Sequence, residues 1–127
     1  MMYEVEKKPK RLPYQLLDKA VLFASKFLDL DVDLIIEFKI LKAHQCGFCD
    51  YYDDDVTITI SRYLAVEDII RTLFHEMVHV KQYADGRLEH GSSGVWLGIM
   101  YEDKYDDLPW EIEAYDLEQK MMDAFYC

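Results

Sequence analysis

The hydrophobic period of the chain changes near residue 30. Before that point, apolar residues recur every three or four positions, which predicts an amphipathic helix ending at about residue 29. Pro13 stands where the first turn of a helix tolerates proline. The apolar positions of this helix are Leu16, Leu17, Ala20, Val21, Ala24, Phe27 and Leu28.

After residue 30 the period shortens to two, as in β-strands. One strand is predicted in "VDLIIEFKIL", with inward side chains at Val32, Leu34, Ile36, Phe38 and Ile40. A second strand is predicted in "VTITI", where Val56, Ile58 and Ile60 point inward and Thr57 and Thr59 point outward. The acidic connection between these strands has room for a short strand of its own.

A second helix is predicted from Val66 to Ala84, and Gly86 can take the left-handed conformation that ends it. At about 100° per residue, one face of this helix is apolar and the opposite face is polar. The apolar face is enough to seat the helix on the sheet, so we expect the polar face to line a cleft. The apolar set is Val66, Ile69, Ile70, Leu73, Met77, Val80 and Ala84; the polar set is Asp68, Arg71, Thr72, His75, His79 and Gln82.

The C-terminal third predicts a glycine-rich loop, a short strand in "GVWLGIMY" and a third helix that begins at Pro109 and runs towards Ala124. Asp106 and Asp107 are available to cap that helix. The order of helix, strands, helix, strand and helix indicates an α+β fold in one domain, residues 1–127. The cluster Lys7, Lys8, Lys10 and Arg11 makes residues 1–12 a basic arm, which we expect to be solvated.

Charge and length exclude several classes of protein. The net charge of −11 disfavours a nucleic-acid partner or an anionic membrane surface. No apolar run approaches the roughly 18 residues of a membrane helix, and the N-terminus does not resemble a signal peptide. Three cysteines, an odd number, do not make a disulfide framework. We therefore expect a reduced, cytoplasmic protein.

The motif "HEMVH" in the second helix carries specific chemistry. His75 and His79 lie one helical turn apart, so both rings can bind one metal ion. Glu76 stands beside them, where its carboxylate can take a proton from a water held by the metal. Zinc lowers the pKa of such a water to about 7, which suits hydrolysis of a carbonyl compound. The spacing favours one catalytic Zn²⁺ with Glu76 as the general base.

A catalytic zinc ion usually has three protein ligands, and the third helix offers two glutamates for the third place. Glu111 and Glu113 flank the apolar stripe of that helix on opposite sides, each roughly 80° from its centre. They cannot both reach one site, and periodicity alone does not choose between them. The stripe consists of Trp110, Ala114, Leu117, Met121 and Phe125.

The succession "HEMVHVKQY", "GVWLGIMY" and "PWEIEAY" resembles the gluzincin metallopeptidases, in particular the small SprT-like or minigluzincin domains common in phage and viral genomes. The resemblance covers roughly residues 32 to 125. It implies a zincin-like fold, in which the HExxH helix packs on a glutamate-bearing C-terminal helix. It also implies Glu111 as the third zinc ligand, with Ala114 three positions later where the helices touch, and Glu113 in reserve. If the protein is viral, its location would be the host cytoplasm.

The chain departs from the gluzincin pattern at one position, and the resemblance does not assign the roles of several other residues. Related gluzincins often have Asp or Asn directly after that alanine to support a ligand histidine, whereas this chain has Tyr115 and then Asp116. The resemblance also implies that an extended peptide pairs with a sheet edge, beside "VWLGIMY". Tyr101, Tyr105 and Tyr115 are candidates to stabilise an oxyanion, although ordinary packing is favoured for each.

The segment "AHQCGFCD" is a weaker candidate for a metal site. His44, Cys46 and Cys49 could bind a second metal, but no second CxxC pair follows. A tight turn at Gly47, with the cysteines as small packing residues, is the favoured interpretation.

Three functions remain open at this stage. The leading hypothesis is a zinc metallopeptidase that hydrolyses a peptide or protein substrate. The alternative is a zinc-bound but non-catalytic module for peptide binding, such as a virion or regulatory component. A structural protein with a coincidental motif is the third.

Overall fold

The computed structural model describes residues 1–52, 55–90, 94–101 and 107–127. Within them the chain forms a small α+β fold, as predicted. The elements are β1 (Tyr3–Glu6), α1 (Tyr14–Phe27), β2 (Leu34–Lys39), β3 (Gly47–Tyr52), β4 (Asp55–Ser61), α2 (Val66–Ala84), β5 (Leu88–Glu89), β6 (Val95–Trp96), β7 (Ile99–Met100) and α3 (Pro109–Phe125).

The main sheet has four strands in the order β1-β2-β4-β3. β1, β2 and β4 are parallel, and β3 is antiparallel to β4 at the edge. The inward positions predicted within β2 and β4 are buried: Leu34, Ile36, Phe38, Val56, Ile58 and Ile60. A second, antiparallel sheet consists of the two-residue strands β5, β6 and β7.

Two of the predicted strand positions are wrong. Ile40 lies beyond the end of β2 and is 71% exposed. Thr59, expected to face outward, is buried because β4 is a central strand, with Glu37 and Phe48 directly beside Thr59 on the neighbouring strands. The acidic connection does contain a strand, β3.

The N-terminal segment is not a solvated arm. Residues 3–6 add to the sheet as β1, and Leu12 is fully buried. Two of the four basic side chains bind main-chain carbonyls: Lys8 donates to Pro9 and Leu12, and Arg11 donates to Arg62 and Leu64. These contacts hold the segment against the start of α1 and the loop after β4, so its positive charge has a structural use.

The three helices meet at a cluster of phenylalanines. Phe23 of α1 lies 5.6 Å from Phe74 of α2 and 5.3 Å from Phe125 of α3 between ring centroids, and Phe74 and Phe125 are 5.5 Å apart. Aromatic pairs at these distances stabilise packing beyond their buried area. They fix α3 along the side of α2 that faces away from the sheet.

α2 is therefore buried on both faces. Its polar side chains Thr72, His75, Glu76, His79 and Gln82 are buried as fully as its apolar stripe. That face borders a cavity, as expected, although α3 and β3 cover much of it. Gly86 has φ 75° and ends the helix as predicted.

The start of α3 also differs from expectation in one detail. Pro109 is the first helical residue, as predicted, but the N-cap is Leu108 and no side chain caps the helix. Asp106, one of the two expected caps, lies outside the described residues. Among the residues that the structure describes, no helix is both long and apolar enough to cross a membrane.

Gly47 is required by close packing and not by a turn. A Cβ atom on Gly47 would lie 2.6 Å from the carbonyl oxygen of Thr59 and 2.7 Å from Cγ2 of Thr72. Both distances are shorter than van der Waals contact, and the first is to main chain that cannot rotate away. The glycine thus lets β3 approach α2.

We predict that Gly47→Ala lowers the free energy of unfolding by about 1–3 kcal/mol, the usual cost of overpacking. Adding Thr72→Ser removes one of the two clashes and should recover only part of the loss. Denaturant unfolding of the wild type and both variants tests this. An unchanged unfolding midpoint in Gly47→Ala would contradict the packing described here.

Candidate metal centre

His75, His79 and Glu111 form a buried group that can hold a metal ion. Their nearest ligand atoms all lie within 4.8 Å of one another. Oε1 of Glu111 is 2.9 Å from Nε2 of His75 and 3.1 Å from Nε2 of His79. Two atoms bound tetrahedrally to zinc are about 3.3–3.5 Å apart, so little movement separates this arrangement from a coordination shell.

The position of α3 distinguishes the two glutamates that the sequence left open. Glu111 is buried and faces both histidines. Glu113 points to the other side of the helix, where Arg87 donates to both its carboxylate oxygens and Gln82 donates to Oε1. Ala114 is fully buried beside α2. Only Glu111 is placed to share a metal with the histidines.

Each histidine has an oxygen acceptor on its other nitrogen. Nδ1 of His75 is 2.7 Å from Oε1 of Glu118, and Nδ1 of His79 is 2.8 Å from Oε1 of Gln82. Since Nε2 of Gln82 donates to the Trp110 carbonyl and to Glu113, its amide oxygen must be the atom that faces His79. Both Nδ1 atoms therefore donate, and the Nε2 atoms, which face Glu111, are the ones that could bind a metal ion.

Sequence reasoning missed Glu118, although its spacing carries the information. It lies seven positions after Glu111, two helical turns along the same face of α3. Its second oxygen, Oε2, accepts from Nη1 of Arg71 at 3.1 Å. Arg71 in turn lies one turn before His75 on α2. The support expected near Tyr115 and Asp116 is thus built from Glu118 and Arg71.

The buried negative charges of the site favour the binding of a divalent cation. Three carboxylates are buried here, those of Glu76, Glu111 and Glu118. Arg71 balances Glu118, which leaves two negative charges near the histidines. Buried charges without partners cost several kcal/mol each, so a compensating charge of about two is expected. Two imidazoles and one carboxylate are ligands that suit zinc.

Without a bound cation, the histidines take protons instead. Burial alone would lower the pKa of His75, but its hydrogen bonds to Glu111 and Glu118 and the charge of Glu76 outweigh burial and raise it to about 9. The pKa of His79 is raised against the same effect of burial, by Glu111 and Glu76. Burial would raise the pKa of Glu111, yet the two histidines lower it to about 2.

Glu76 differs from the other two carboxylates. It is buried, but it makes no hydrogen bond or ion pair with any side chain in the described part of the protein. Burial raises its pKa, and the neighbouring charges of His79 and His75 oppose that rise. A carboxylate in this state can accept a proton.

A cavity of about 750 Å³ opens over the group and reaches along α2. Arg71, His75, His79 and Tyr83, each four residues after the last, line one wall. The opposite wall is formed by residues 42–49, which include the start of β3, and by Trp110, Glu111, Tyr115 and Glu118 of α3. The strand beside the cavity is β3, and "VWLGIMY", which we expected there, belongs to the separate small sheet.

The remaining candidates lie as follows. Tyr115 lines the cavity, with its ring 4.7 Å from that of His75. Tyr101 packs edge-on against Trp110, and Tyr105 lies outside the described residues. His44, Cys46 and Cys49 line the cavity but do not join a metal-binding group among the described residues. Cys46, Cys49 and Cys127 are unpaired, and Cys49 lies within strand β3.

No protein-family model, curated protein or solved structure matches this chain.

We predict that Glu118→Ala weakens zinc binding about 10- to 100-fold, because Nδ1 of His75 loses its acceptor. Glu118→Gln should weaken it less, since the amide oxygen can still accept that hydrogen bond. Competition with a chromophoric chelator measures the affinity.

Gln119→Ala is the matched control. Gln119 is the next residue on α3 and also accepts from Arg71, at 3.0 Å, but it does not contact His75. Its zinc affinity should equal that of the wild type. Equal losses in the Glu118 and Gln119 variants would refute a specific role for Glu118.

Proposed function

We propose that the protein is a zinc-dependent peptidase with a zincin-like fold, similar to the small gluzincins. His75, His79 and Glu111 would hold one Zn²⁺, with α2 as the active-site helix and α3 as the helix that supplies the third ligand. The main support for this proposal is the environment of Glu76, which is buried beside the metal ligands. A site that only stabilised the fold would have no reason to place in the cavity, beside the metal ligands, a carboxylate that has no hydrogen bond to another described side chain.

The ion would supply Lewis-acid chemistry, polarising a carbonyl and lowering the pKa of water. Glu76 would accept the proton of the attacking water and later return it to the leaving amine. Glu118 and Gln82 hold the histidine rings in the orientation and tautomer that the ligands require. Arg71 pairs with Glu118 and holds its carboxylate in place.

The free edge of β3 supports a peptide substrate. The carbonyl of Cys46 faces β4 and accepts from the N–H of Ser61, whereas the carbonyl of Tyr51 faces the outer edge and accepts from His90 at 2.7 Å. Because main-chain groups alternate along an antiparallel strand, the N–H and C=O of Gly47 and Cys49 also face outward. Within the described residues these groups have no partner, and both residues line the cavity. They can pair with an extended peptide.

The alternative is a zinc-bound module that recognises peptides without cleaving them. It shares the ligands and the free strand edge but requires no proton acceptor. Glu76 is therefore the residue that separates the two.

We expect Glu76→Gln to retain one zinc ion per chain and to lose peptidase activity by at least about 10²-fold, the range that a general base contributes. Native mass spectrometry measures the zinc, and cleavage of a denatured protein substrate measures the activity. Glu113→Gln, on the far side of α3, is the control and should keep both properties. A zinc-loaded wild type that cleaves nothing in a broad peptide mixture would favour the non-catalytic alternative.

A further inference from the structure

The cavity has two chemically different ends, and their positions follow from the packing of β3 along α2. Gly47 lies against Thr72, and the ring of Tyr51 stacks on that of Tyr83 at 5.3 Å. The strand and the helix therefore run in the same direction, with the metal group between these two contacts. A peptide on this edge would pair with β3 at Gly47 and Cys49. Its end near Tyr83 would lie beyond that pairing, because His90 already binds the carbonyl of Tyr51.

The end near the C-terminus of α2 is aromatic and apolar. Tyr83, Leu88 and Trp110 line the cavity there. Tyr83 is also held by its stacking on Tyr51 and by the ring of His90 at 5.0 Å. Because these aromatic rings are already fixed by their neighbours, they lose little entropy when a large apolar side chain packs against them.

The end near the N-terminus of α2 is basic. Lys42 and Arg71 line the cavity there, and Lys42 is exposed with no ion pair among the described residues. Among the residues that the structure describes, the acidic side chains in the lining are Glu76, Glu111 and Glu118, and all three belong to the metal centre. In a chain of net charge −11 this end of the cavity is a local exception.

The length of the groove sets the distance along a bound peptide between its apolar residue and its acidic residue. Arg71 and Tyr83 are twelve positions apart on α2, which is about 18 Å. An extended peptide covers that distance with about five to six residues. Antiparallel pairing is the more stable mode of strand addition, so the N-terminal end of the peptide would lie near Tyr83.

We propose that the groove selects peptides carrying a large apolar or aromatic residue on the N-terminal side and an acidic residue about five positions later. This inference rests on the proposed peptide-binding site and names its substrate class. Tyr83 and Lys42 are the specificity-determining residues. Repulsion from the rest of the acidic protein is screened beyond about 8 Å at physiological salt, whereas Lys42 acts at contact distance.

Binding tests the inference without requiring turnover. The probe is a set of fluorescent hexapeptides measured by anisotropy against zinc-loaded Glu76→Gln protein. The parent peptide has Phe first and Glu last, with alanines between. Three others replace Phe by Ala, replace Glu by Lys, or reverse the order.

The parent peptide should bind best. Replacing its Glu by Lys should weaken binding about two- to fivefold, the range for one exposed charge contact. Lys42→Glu, added to the same protein, should invert the preference for Glu over Lys. Lys10→Glu makes the same change of charge on an exposed residue away from the cavity and should leave the preference unchanged.

Wild-type zinc-loaded protein incubated with the same peptides separates the two proposals. Cleavage without any Glu-over-Lys preference overturns the specificity and leaves the peptidase intact. A preference that Lys42→Glu inverts, without cleavage, overturns the peptidase and supports the groove. Failure to bind any of the four peptides, or a preference that Lys10→Glu alters as much as Lys42→Glu does, overturns the inference.

Discussion

The contact between the Glu111 carboxylate and the two imidazoles of α2 is the interaction on which the rest of the site depends. It occurs at the buried interface of two helices, where charge is expensive unless it is balanced. Glu118 and Glu76 add two more carboxylates to the same interface. Arg71 forms an ion pair with one of the three, Glu118. Either a divalent cation or the protonation of both histidines can balance this charge. The raised pKa values of His75 and His79 correspond to protonation.

The fold holds this contact in place from both sides. The sheet and the phenylalanine cluster seat α2 and α3, so the two helices cannot separate without exposing apolar core. The two histidines differ in the group that accepts a hydrogen bond from Nδ1: a carboxylate for His75 and a neutral amide for His79. A carboxylate raises the basicity of its histidine more than an amide does, which makes His75 the stronger donor to a cation. β3 lies against the same helix and leaves its free edge over the group.

The sequence was most informative where a period or spacing was strong. The α+β class, the bounds of α2 and the pairing of His75 with His79 follow from local patterns. Glu111 could not be separated from Glu113 by periodicity because both flank the same stripe, and the difference arises from which side of α3 faces α2. Glu118 shares a face with Glu111 at a spacing of seven, a signal present in the sequence. The parallel pairing of β1 and the burial of Thr59 depend on contacts between distant strands, which no local pattern contains.

The central claim is that one divalent metal ion is bound by His75, His79 and Glu111. The metal content of the purified protein, measured by native mass spectrometry for the wild type, Glu111→Gln and Glu113→Gln, tests it most directly. We expect one zinc ion in the wild type and in Glu113→Gln, and a weakened or absent ion in Glu111→Gln. No zinc in the wild type after reconstitution, or equal retention by all three proteins, would contradict it.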